Sequence, residues 1–142
     1  MTTDPFNLER FVSAQAPVWD EVCAELHAGR KRSHWMWFVF PQLAILGRSS
    51  MAKHYGLSGL DEARAYLAHT VLGPRLISAC AILAGLQSHK ADEIFGSVDA
   101  MKLRSCLSLF IEAAPEQLVF KQCLLFYFQG DGDPLTMGRA SS

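Results

Sequence analysis

Apolar residues recur at intervals of three and four through almost every long segment of this chain, and proline or glycine closes most of the runs. That spacing puts one apolar stripe on each helix and leaves no alternating stretch or two-residue hairpin turn to favour a sheet. In "NLERFVSAQ", Leu8, Phe11, Val12 and Gln15 share a face and Asn7 is placed to cap it. "PVWDEVCAELHAG" repeats the pattern with Val18, Trp19, Val22, Cys23 and Leu26, and Gly29 is its natural stop. "SGLDEARAYLAH" carries Leu60, Ala63 and Leu67, with Ser58 and Asp61 as the halves of a capping box. "HTVLGPRLISACAILAGLQ" aligns Leu76, Ile77, Cys80, Leu83 and Leu86. "KADEIFG" is one short turn, "SVDAMKLRSCLSLFIEAA" a long helix capped by Ser97, and "PEQLVFKQCLLFYFQG" a last helix ending at Gly130. The expectation is an all-α fold of about six to eight helices in an orthogonal or irregular bundle. One domain spans residues 1–142, with its core over about 6–130 and a polar tail, 131–142, expected to fray.

Half of the 142 residues are hydrophobic and 19% are charged, which excludes disorder for most of the chain. Folding at this length hides about two-thirds of the unfolded surface, so no metal or disulfide is needed to hold the core. A net charge of -1 argues against a general nucleic-acid binder. No window approaches the ~20 apolar residues of a membrane span. Cys23, Cys80, Cys106 and Cys123 are scattered among apolar neighbours and form no C-x-x-C pair. With no apolar signal run at the N-terminus, they read as buried thiols of a cytoplasmic protein. His27, His34, His54, His69 and His89 show no metal-ligand spacing. No cofactor motif for nucleotides or dinucleotides is present.

The segment "GRKRSHWMWFVFPQ", residues 29–42, is where chemistry concentrates. Both alternating sets of its aromatic run are apolar, so periodicity does not separate a buried strand from a buried helix. The absence of a partner strand favours a helical turn between Ser33 and Pro41. Arg30, Lys31 and Arg32 match phosphate or carboxylate groups, and a histidine such as His34 can donate, accept or carry a proton. Trp35 and Trp37 offer flat faces for a ring or a cation. In "GRSSMAKHY", residues 47–55, Ser49 and Ser50 precede a helical turn at 50–55. Arg75, Lys102 and Arg104 are cations within apolar helices, and Asp61 and Glu62 lie together at a helix start. The plainer reading of each is a solvated turn, a serine cap, a lysine stem lying along the surface, or charge compensation at a helix terminus.

Taken together, residues 29–76 and "MKLRSCLSLF" resemble the bacterial domain-of-unknown-function family numbered eighteen-ten, over about Leu8 to Asp133. Some members carry a calpastatin label. Calpastatins are disordered inhibitors, and this composition is globular. The resemblance implies a small all-α cytoplasmic domain and marks the positions that the family's motif covers. These are Gly29, Arg30, Lys31, Ser33, His34, Trp35, Trp37, Phe40, Pro41, Gln42, Gly47, Ser49 and Tyr55. They continue through Glu62, Ala63, Tyr66, Leu67, Leu72, Gly73, Arg75 and Leu76 to Lys102, Arg104 and Ser105. The ending "GDGDPLTMGRASS" departs from the leucine-rich close of such domains.

The polar members of that motif give the functional expectation. Arg30, Lys31, Trp35, Trp37, Gln42, Ser49, Tyr55, Arg75, Lys102 and Arg104 would bind an anionic, phosphate-bearing small molecule such as a nucleotide or an ADP-ribose derivative. His34 and Glu62 would move protons if hydrolysis follows. For this, residues 30–42, 47–55 and 102–104 must line one concave surface, with Glu62 or Asp61 as the internal partner of the cations. The competing expectation is a protein-interaction module with an Arg- and Trp-rich hot spot. RNA binding is the least supported by the charge balance.

Overall fold

The computed structural model describes residues 4–86 and 90–140, with side chains through Met137. His89 and the extreme ends of the chain lie outside the described residues. Within them the fold is all-α, with nine α-helices and no strand. In chain order these are α1 Glu9–Gln15, α2 Trp19–Ala28, α3 Met36–Val39, α4 Ser50–His54, α5 Leu60–Ala68, α6 Leu72–Gly85, α7 Ala91–Ala113, α8 Leu118–Phe128 and α9 Pro134–Ala140. An isolated bridge joins Leu43 to Leu57. No single described helix is long and apolar enough to cross a membrane.

The longest helix, α7, is the spine, packed by α5, α8 and α9, while α6 packs against α2, α5 and α8. It breaks at Gly96, so "KADEIFG" is a short turn of its own, as its sequence suggests. An aromatic chain runs through the core: Phe11 meets Tyr66 edge-on at 5.1 Å, Tyr66 meets Phe110 at 5.6 Å, and Phe110 meets Phe120 at 5.6 Å. Such ring pairs add to simple area burial. The bend between α5 and α6 is 90°, and Gly73 makes it feasible. A Cβ at Gly73 would lie 2.0 Å from the Leu67 carbonyl oxygen, so only glycine fits there.

Several local expectations are corrected. Asn7 does not cap α1: it sits at φ 53°, and Asp4 caps instead, accepting the N–H groups of Leu8 at 2.7 Å and Glu9 at 3.0 Å. Those two bonds hold the Asp4 carboxyl below its ordinary range. At α5 the capping carboxylate is Glu62 rather than Asp61, taking the Ser58 N–H at 2.9 Å. Ser97 makes no capping bond. The polar tail does not fray over the described residues. Asp133 and Thr136 are buried, and α9 docks on α7. The Asp133 carboxylate accepts the hydroxyls of Ser105 (3.0 Å) and Thr136, and the Asp133 N–H donates to Ser108 Oγ at 2.9 Å. Polar residues hold this segment down because α7 supplies partners from far away in the sequence, which local polarity cannot reveal. The four cysteines are unpaired; Cys23 is half-buried and the other three are buried.

Candidate functional site

After α2 ends at Gly29, held at φ 70° where glycine is favoured, the chain folds back over the helix it has left. Glu25, buried one turn before that end, clamps it. Its Oε1 accepts the N–H groups of Arg32 (2.7 Å) and Ser33 (3.0 Å) and the Trp35 indole N–H (3.0 Å), and Oε2 accepts the Ser33 hydroxyl (2.7 Å). Burial pushes this carboxyl up. The bonds from Arg32, Ser33 and Trp35 outweigh burial and bring it to about 2. Residues 32–35 are therefore held by one carboxylate that is charged at neutral pH.

The clamp delivers Lys31 to α7, where its N–H donates to the Ile94 carbonyl at 2.7 Å. Its ammonium lies 2.9 Å from Asp99 Oδ2 and 5.2 Å from the centre of the Trp35 ring. Lys102 reaches the other oxygen of the same carboxylate at 3.5 Å and lies 5.2 Å from the centre of the Trp37 ring. Two ammonium groups, two indoles and one carboxylate thus meet where the loop crosses α7. Trp35 is core, but Trp37 is half-buried. Arg30 and His34 are exposed on the same loop, and neither side chain has a hydrogen bond or ion pair.

The other expected site residues belong to separate neighbourhoods. Glu62 is buried against Arg10, whose Nη2 is 2.8 Å from Oε2, while Oε1 takes the Ser58 N–H. Both Glu62 oxygens are committed, and no hydrogen bond links it to His34. Ser49 caps α4 through the Ala52 N–H at 3.1 Å. Tyr55 stacks among Phe11, Phe38 and His54. The Gln42 carbonyl accepts the Leu57 N–H at 2.8 Å, and its side chain is half-buried. Arg75 lies over Trp19 and donates to Gln15 Oε1 at 3.3 Å. Arg104 pins the Asp131 and Gly132 carbonyls at 2.6 and 2.9 Å and pairs with the Asp131 carboxylate.

The expected convergence is thus partial: Lys31, Trp35, Trp37 and Lys102 meet, flanked by Arg30 and His34. The internal acid of that group is Asp99, not Asp61 or Glu62. Asp61 is solvent-exposed and 3.7 Å from Arg64. Asp99 stands three residues before Lys102, a helix-pair spacing open to sequence reading. Glu25 and Arg10 carry no comparable signal, because their partners are remote or backbone. Two cavities lie elsewhere. One of about 470 Å³ is lined by Arg64, Leu67, Ile77, Ala113 and Glu116, and one of about 500 Å³ by Lys90, Met101, Phe126 and Tyr127. Among the described residues no group of three or more His, Cys, Asp or Glu is arranged to hold a metal ion.

A family model described as a protein of unknown function, DUF1810, matches residues 5–140. The chain belongs to the DUF1810 family. The match runs through α9, so the unusual ending is part of the DUF1810 domain. The crystal structure of a conserved hypothetical protein, Rv1873, from Mycobacterium tuberculosis superposes with a TM-score of 0.96 at 48% identity. That match covers 98% of this chain and 99% of the other. No curated protein matches the chain.

Proposed function

We propose that this DUF1810 domain binds a phosphate-bearing small molecule on the face around Trp37, with Arg30, Lys31, His34 and Lys102 as its polar partners. One observation carries the reading: a half-buried indole has a lysine ammonium 5.2 Å from its centre, beside a loop whose Arg30 and His34 have no internal partner. An indole edge suits a flat ring, and the cations suit phosphate oxygens. The reading is one of binding rather than hydrolysis, since Glu62 is committed to Arg10 and Ser58. The setting we assign is the reducing cytoplasm, supported by four unpaired cysteines.

Thermal unfolding with AMP, ADP and ADP-ribose, against adenosine as the uncharged control, tests the proposal. A ligand at 100 times its dissociation constant adds about 2.7 kcal/mol. The phosphate-bearing compounds should raise the melting temperature, adenosine should not, and Trp37→Ala should abolish the rise. No rise with any of them at millimolar concentration contradicts the reading. A protein-interaction module is the second reading. It is favoured by Val98 and Met101, exposed at 68% and 52% beside Asp99 and Lys102 on α7.

A further inference from the structure

We infer that Asp99 is a built-in placeholder for the ligand's oxyanion: its carboxylate stands where two ligand oxygens would sit between Lys31 and Lys102, and it must swing away on binding. This rests on the Trp37 face being the binding site.

The contacts of the buried carboxylates separate their roles. Glu25 and Glu62 both accept backbone N–H groups, so each holds the chain in shape. Asp99 accepts no backbone N–H and no hydroxyl; its contacts are the two ammonium groups, at 2.9 and 3.5 Å. It stands just after the Gly96 break in α7, between exposed Val98, the buried Lys31 side chain and half-buried Lys102, and its own side chain is 21% exposed. A short rotation therefore takes it into water. Bringing two ammonium groups together is unfavourable without an anion between them. One carboxylate supplies only a single charge for two, so a net positive charge remains at the spot. A doubly charged oxyanion such as a phosphoryl group matches the pair better than the aspartate does. Asp99 then keeps the lysines arranged when the site is empty and weakens binding by competition.

The test is a calorimetric titration of inorganic pyrophosphate into the wild type, Asp99→Asn and Lys102→Gln at low ionic strength. A unit charge at this range in a water-like setting is worth about a fivefold change in affinity, and more where water is partly excluded. Asp99→Asn should bind pyrophosphate at least about fivefold tighter than the wild type. Lys102→Gln leaves the Lys31–Asp99 pair intact and should bind several-fold more weakly. A wild type that binds as tightly as Asp99→Asn overturns the placeholder role and leaves the site standing, whereas a Lys102→Gln variant with unchanged affinity overturns the placeholder role and also removes Lys102 from the site. Silence from both the wild type and Asp99→Asn overturns the site itself.

Discussion

Arg10 and Lys31 are both cations drawn against a carboxylate on a distant helix, and they end in opposite situations. The Arg10 guanidinium donates to the carbonyls of Phe6 and Asn7 through Nη1, to His54 through Nε, and to Gly56 and Glu62 through Nη2. It ties the N-terminal segment to the chain between α4 and α5 and leaves nothing over for a ligand. Lys31 shares Asp99 with Lys102, and beside it Arg30 and His34 face water without partners. The first arrangement is a staple. The second has charge to spare, and under the proposed function that surplus, rather than the number of cations, is what a ligand would use.

The largest expected effect breaks the staple. Arg10→Ala leaves the Glu62 carboxylate buried and unpaired, which costs about 3–5 kcal/mol. Arg10→Lys should recover little, since an ammonium cannot serve five acceptors in a planar fork. Urea unfolding of both variants measures this, and a loss under ~1 kcal/mol for Arg10→Ala would reduce the staple to an ordinary surface pair.

Next is the Glu25 clamp. Its carboxyl is depressed to about 2 in the fold, so its contribution is present above the ordinary carboxylate range and is lost as pH falls toward 2. Near-ultraviolet circular dichroism, which reports the packing of Trp35, should decline over that window. Glu25→Gln should cost about 2–3 kcal/mol at neutral pH and flatten the decline. An unchanged acid profile in the variant would assign the transition to other carboxylates.

Smaller effects belong to the Trp37 face. Lys102→Ala removes one of two ammonium groups from a partly exposed carboxylate and should cost at most about 1 kcal/mol. Arg30→Ala and His34→Ala should change stability by about 0.5 kcal/mol or less, because neither side chain has a partner to lose. A loss of several kcal/mol from either would make the loop structural and remove the contrast with Arg10.

How much of this was legible in the sequence follows from the range of the interactions. Helices α2, α5, α6 and α8 announce themselves because apolar stripes and glycine stops are local. The turn at α3 was legible through Pro41 and the lack of any strand to pair with it. The docking of α9 was not: Asp133 and Thr136 look like surface residues until Ser105 and Ser108 are beside them. At the site, the loop of Arg30 to Trp37 stood out by composition, and the fold sets the Lys102 ammonium 5.2 Å from the centre of the Trp37 ring. Glu62 misled because a carboxylate at a helix start looks the same whether or not an arginine 52 residues away consumes it. Arg75 and Arg104 misled likewise, since their acceptors are a side chain and carbonyls that only the fold brings near.

The central claim is that Arg30 and Lys102 beside Trp37 serve a ligand and are not needed for the fold. The double variant Arg30→Ala with Lys102→Ala tests it most directly, by titration with ADP followed through Trp fluorescence, alongside urea unfolding without ligand. The account predicts that ADP binding to the wild type disappears in the double variant, while unliganded stability stays within about 1 kcal/mol. Undiminished binding by a folded double variant, or a collapse of the fold without any ligand present, would contradict it.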